Sequence, residues 1–219
     1  MDDAEQGLRG EKRWPMAVTL VAAIALLLLL PARFSIIPRW IAPAIMAVLL
    51  VVLTIADPGR IDRRSPLVRR ISLGLVAVLA AGAALVTAHL VVDLVRGGPE
   101  TNSPGQLLRI GFLVWLYTII SFAFFYWELD GGGPEARAVS PSEFPDRAFP
   151  QHLNPRIAPP GWRPEFFDYL YLGFTNATAF SPTDVMPLRL WAKLAMAIQA
   201  SVSLLVLGLV IARAVNILK

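Results

Sequence analysis

The chain has no cysteine, only two histidines and few charged residues. Without cysteine there is no disulfide, no thiolate nucleophile and no cysteine-ligated zinc or iron–sulfur centre. His89 and His152 lie far apart and bring no spaced set of metal ligands, so neither a metal site nor a cofactor is expected. Charged residues make up 16% of the 219 positions against 56% hydrophobic, and the mean hydropathy is +0.58. That is more apolar surface than a soluble domain of this size buries, and lipid is the expected solvent for much of the chain. The net charge is +4, but the arginines cluster between apolar runs. Membrane topology requires that pattern and a nucleic-acid face does not, so the bilayer is the expected partner and nucleic acid is not.

What is present is a series of apolar runs. Residues 1–15 are polar and mixed in charge. Met16 to Leu30 has the length of a signal-peptide core, but Pro31-Ala32-Arg33 follows without a small-x-small cleavage pattern. An uncleaved first span is favoured, extended to Ile37 if Arg33 snorkels. Trp40 to Ala56 is the second run, paired with the first as a hairpin across a short connector. Arg60, Arg63, Arg64, Arg69 and Arg70 then form the strongest charge signal and read as cytoplasmic. Ile71 to Val95 is a third span whose alanines and glycines suit close helix packing. It carries His89 and Asp93 at i and i+4, read either as an intramembrane proton or ion relay or as interfacial groups bonded to a neighbouring helix. Leu107 to Trp127 is the fourth span, with Tyr117, Thr118 and Ser121 in packing roles. These runs define a bundle over residues 16–128.

Residues 129–164 change character, with three glycines and then eight prolines. Such a segment cannot make a continuous helix or a central strand, and a largely extended excursion or cap is expected. The last unit is 165–219. Phe166 to Thr178 reads as a helix of about 20 Å, short for a span. Its polar end holds Thr175, Asn176 and Thr178; Asn176-Ala177-Thr178 also matches a glycosylation sequon, a common chance occurrence. Phe180-Ser181-Pro182 breaks it. Asp184 and Pro187 lead into a long apolar helix, Leu188 to Leu218, with Gln199 near its middle. The expected fold is an all-α membrane protein, a polytopic bundle of about five transmembrane helices plus a re-entrant half-helix.

Thr175-Asn-Ala-Thr178, Asp184-Val-Met-Pro187 and Val210-Ile-Ala-Arg-Ala-Val215 resemble the pore helix, filter and inner helix of two-helix potassium channels. The whole chain resembles a family of small bacterial membrane proteins whose C-terminal part is a divergent relative of that module. In the channels the filter threonine precedes valine or isoleucine and then Gly-Tyr-Gly-Asp. Here Thr178 precedes Ala-Phe-Ser-Pro-Thr-Asp184, without the glycines that let successive carbonyls face one axis. Potassium selectivity of the usual kind is therefore not expected. The resemblance implies a half-helix whose negative C-terminal end favours a cation if subunits assemble, as a tetramer in a channel.

Counting Lys and Arg, the N-terminal segment has three, and the next three connectors two, five and two. The bias predicts a plasma-membrane protein with a cytoplasmic N-terminus. The proline-rich loop then begins on the cytoplasmic side, whereas a channel pore helix enters from outside. A full crossing by 166–181 would give six spans; five spans plus a half-span is preferred. Three function classes follow. The first is a channel-like permeation protein with Thr175, Asn176, Thr178, Phe180, Ser181, Asp184 and Gln199 as pore or filter-like residues. The second is a non-conducting scaffold that binds a protein partner through 134–160. An intramembrane enzyme ranks last, because His89 and Asp93 lack a nucleophile or metal set, and the chain is not expected to be an enzyme.

Overall fold

The computed structural model describes residues 10–35, 38–61, 65–98, 103–139, 142, 144–178 and 184–217. Its elements in order are β1 (Glu11–Lys12), α1 (Trp14–Leu29), α2 (Ile41–Ala56), β2 (Arg60–Ile61), α3 (Pro66–Arg96), α4 (Pro104–Leu129), α5 (Pro134–Val139), β3 (Arg147–Ala148), α6 (Pro150–Leu153), α7 (Phe166–Thr178), β4 (Met186–Pro187) and α8 (Leu190–Ile217). Three helices, α3, α4 and α8, are long and apolar enough to cross a membrane. The 16-residue α1 and α2 each reach about 24 Å, below the roughly 20 residues of a comfortable span.

Local chemistry explains the boundaries. Ser65 caps α3 by accepting the Val68 N–H, Pro66 occupies its first turn, and Gly97 ends it in the left-handed region at φ +76°. The apolar third run was expected from Ile71; the helix starts about a turn upstream, where Ser65 caps it and Pro66 fits its first turn. In α4, 67% of the most apolar window is buried, against 39% in α3 and 33% in α8. α4 is thus the central helix, and α1, α3, α7 and α8 pack around it.

Both two-stranded sheets lie at one end, here called the cap. β1 pairs antiparallel with β2, and β3 with β4 in the register Arg147↔Pro187 and Ala148↔Met186. Of the extended excursion or cap expected from sequence, the proline-rich segment forms the cap, with short helical turns in it. Pro134, Pro150 and Pro155 open α5, α6 and a 3-10 turn at Pro155–Ile157, since a proline in the first turn loses no hydrogen bond. Its residues Arg137, Arg147 and Phe149 are buried.

α7 starts at the cap, where the Phe166 ring lies 4.9 Å from that of Phe124 and 5.4 Å from that of Trp127. Its 13 residues carry the chain about 20 Å inward. β4 then sits back at the cap against β3, and α8 leaves from there to the far end, where Arg213 meets Gly97. α7 thus runs inward from the cap, and the described chain resumes with β4 at the cap.

Candidate functional site

The polar residues concentrate on a seam where α7 meets α4 and α8. α7 buries Phe166, Tyr169, Gly173 and Asn176, spaced at helical intervals on one face. At the inner end, Gln199 of α8 is fully buried, and its Oε1 accepts from the Tyr126 hydroxyl at 2.6 Å and from Asn176 Nδ2 at 2.8 Å. Its Nε2 donates to the Gly173 carbonyl at 2.8 Å, and Asn176 Nδ2 also reaches the Met196 carbonyl at 3.0 Å. Three helices are tied by one amide pair.

Nearer the cap the seam is ionic. Asp130 accepts from the Tyr169 hydroxyl at 2.6 Å through Oδ2 and from Arg147 Nη1 at 3.2 Å through Oδ1. The Arg147 guanidinium lies between two rings, 4.4 Å from the Tyr126 centroid and 4.5 Å from that of Trp191. Burial pulls its pKa below the ordinary arginine range, and the Asp130 carboxylate opposes that pull. Its Nε and Nη2 have no hydrogen-bond partner among the described residues, so the aromatic faces take the place of acceptors. Arg137 lies 4.9 Å over the Tyr169 ring and donates to the carbonyls of Trp127 and Asp130.

Glu11 of β1 closes the outer end of the seam. Its carboxylate accepts the Phe166 N–H at 2.8 Å, an otherwise unpaired first-turn donor of α7, and also the Trp127 indole N–H. Burial raises its pKa to about 7, against the lowering effect of Arg137. The native state thus holds a proton here at pH values where the unfolded chain has released it. This contribution to stability is full below the unfolded value of 4.5 and is lost as pH rises through about 7. Proteolysis of the N-terminal segment is expected to quicken from pH 5 to pH 8 in the native protein, and Glu11→Gln is expected to flatten that profile; an unchanged profile in the variant would assign the dependence to another group.

Gly173 sets how closely α7 approaches α4. A Cβ there would lie 3.1 Å from the Ile119 carbonyl oxygen and 3.5 Å from the Ala123 Cβ. Backbone cannot yield as a side chain does, so Gly173→Ala is expected to destabilise by about 1–3 kcal/mol, lowering the thermal midpoint in detergent.

Of the residues singled out from sequence, Asn176 and Gln199 are brought together. Thr175 and Thr178 bond carbonyls of their own helix, Tyr171 and Leu172 for the first and Phe174 and Thr175 for the second, and Asp184 is exposed. Phe180 and Ser181 lie outside the described residues. His89 and Asp93 sit at the far end of α3, where Arg33 holds Asp93 at 2.5 Å, His89 Nε2 is 3.9 Å from Asp93, and the His89 ring tilts on Phe34 at 4.6 Å. Glu11, Tyr126, Asp130, Arg147, Tyr169 and Trp191 were not picked out from sequence. In the sequence, Tyr126 and Asp130 read as part of an aromatic belt followed by acid at the end of the fourth apolar run. Among the described residues, no group of three or more His, Asp or Glu could hold a metal ion.

Beside the seam a 990 Å³ groove runs between α3, α4 and α8, lined by Ala84, Thr87, Phe125, Trp191 and Ile198. It is apolar and lies between helices, not along the buried amides.

The chain is thus an all-α protein with three helices long and apolar enough to cross a membrane, packed around a buried polar seam. Comparison of the chain with protein-family models, curated proteins and solved structures gives no significant match.

Proposed function

We propose that this chain is a multi-pass plasma-membrane scaffold that does not conduct ions and presents its folded cap to a protein partner in the cytoplasm. The observation that carries this reading is Gln199. Every polar atom of its amide is bonded within one subunit and none is exposed, so the pore-module residues Asn176 and Gln199 hold helices together and do not face a water-filled path. In this reading α1 and α2 cross with α3, α4 and α8, giving five spans, and α7 is a re-entrant half-helix inserted from the cytoplasmic side. Eleven of the sixteen described Lys and Arg residues lie at the cap end, which favours that orientation by the positive-inside rule. No catalytic or cofactor role is part of it.

The cap carries the partner surface. Leu153 and Ile157 are 59% and 61% exposed at an end assigned to water, on the segment expected to bind a partner. Deleting 134–160 would also remove the buried Arg147 and so disturb the core. The sharper variant is Leu153→Asp with Ile157→Asp, which is expected to release co-purifying protein while leaving the thermal midpoint unchanged. Proteoliposomes of the purified chain are expected to pass no potassium, sodium or protons.

A channel-like reading has one observation in its favour: α7 points its C-terminal, negative end inward beside α8, the order of parts in a pore module. Cation flux that is abolished by Gln199→Leu would replace the scaffold reading with that one.

A further inference from the structure

We propose that the end of the bundle opposite the cap holds an anionic phospholipid, with its phosphate on Arg39 and Arg109 and an acyl chain in the apolar cleft beside them. The inference rests on the membrane reading but not on whether the chain conducts or scaffolds. Two cavities adjoin there. One, of 350 Å³, lies between the end of α1 and the first turns of α4, with Arg39, Gln106 and Arg109 above Leu28, Leu29 and Ile110. The other, of 210 Å³, lies between α1, α2 and α3 and is walled by Leu27, Phe34, Leu85 and Val86. Leu30, Pro31 and Arg39 line both.

Buried Arg13, Arg137 and Arg147 pair with Asp57, Glu11 and Asp130, and half-buried Arg33 and Arg69 pair with Asp93 and Glu128. Arg39 and Arg109 are exposed, and what sets them apart is that they line one pocket. Neither makes an ion pair or side-chain hydrogen bond among the described residues, and no carboxylate lines either cavity. Both face one pocket instead. Guanidinium groups suit phosphate oxygens, and the adjoining leucine-lined cleft suits a hydrocarbon chain. The surrounding bilayer is as apolar as that cleft, so the chain contributes little discrimination and the headgroup charge decides. A net-anionic lipid is preferred over a zwitterionic one, whose choline offsets the phosphate.

The test uses the full chain in detergent, titrated with phosphatidylglycerol, phosphatidylcholine and inorganic phosphate, with bound molecules counted by native mass spectrometry. Phosphatidylglycerol is expected to bind at roughly tenfold lower concentration than phosphatidylcholine, and millimolar phosphate is expected to leave it in place. Arg39→Gln with Arg109→Gln is expected to remove the preference. Arg39→Lys with Arg109→Lys is expected to keep most of it, since both charges remain, and serves if the glutamine pair folds poorly. Arg156→Gln, an exposed arginine at the cap, is expected to change nothing. Equal binding of the two lipids, an unchanged preference in the glutamine variant, or its loss in the Arg156 variant overturns the proposal. Displacement by inorganic phosphate also overturns it, in favour of a free phosphoanion. Alkaline extraction of native membranes reads insertion separately, so a failed lipid preference and a failed membrane reading give different results.

Discussion

Replacing Arg147 with alanine is expected to cost about 3–5 kcal/mol, the largest loss from any single substitution in the seam. Arg147 is fully buried and Asp130 nearly so, at 0% and 2% exposure. Removing the guanidinium leaves a buried carboxylate held, among the described residues, by the Tyr169 hydroxyl, and it empties the gap between the Tyr126 and Trp191 rings. At roughly 2–4 °C per kcal/mol for a chain of this size, the thermal midpoint should fall by roughly 10 °C. Trp191 lies against the guanidinium, so tryptophan emission reports the change directly. The double variant Asp130→Asn with Arg147→Met removes both charges and is expected to recover much of the loss, because the desolvation cost disappears with the pair. A midpoint in the single variant within about 2 °C of the native value would mean that the ion pair does not hold the cap to the bundle.

Gln199→Leu is expected to cost less, about 2 kcal/mol. Hydrogen bonds between helices in lipid average roughly 0.6 kcal/mol, and this side chain makes three. Leucine is close in volume, so no large cavity opens. Asn176 retains the Met196 carbonyl, which limits the loss. A double-mutant cycle with Asn176→Ala should show a coupling of about 0.6–1.7 kcal/mol between the two amides. Zero coupling would show that they do not share a bond. The contrast between the two variants follows from charge: a stranded carboxylate is costlier to bury than a stranded amide donor.

Much of the helix plan was legible because long apolar runs have few alternatives. Phe166 to Thr178 was also legible, since Pro164 and Glu165 mark a first turn and Phe180-Ser181-Pro182 forbids continuation. Asn176 and Gln199 stood out as amides in apolar surroundings, although nothing in their spacing said that they meet. The proline-rich segment was legible as a cap without a continuous helix, but its short helical turns were not. Proline's effect depends on whether it stands in a first turn or an interior one, and Pro134, Pro150 and Pro155 all stand in first turns. Arg147 was the deepest omission. A loop arginine among prolines looks solvated until β3 pairs with β4 and places it between two rings.

The sequence by itself determined that this chain is helical, apolar beyond the needs of a soluble domain, free of thiol chemistry, and divided into a bundle, a proline-rich segment and a half-helix followed by a long helix. Those properties are local: they follow from the length of each run, the places where proline and glycine interrupt it, and the charges that flank it. The tertiary structure alone decided that Asn176 and Gln199 bond each other, that α7 starts at the cap, and which arginines are buried. These depend on pairings between residues distant in the chain, such as Glu11 with Phe166 and Asp130 with Tyr169. A buried polar group must find a partner wherever packing brings one, and no local pattern names that partner in advance.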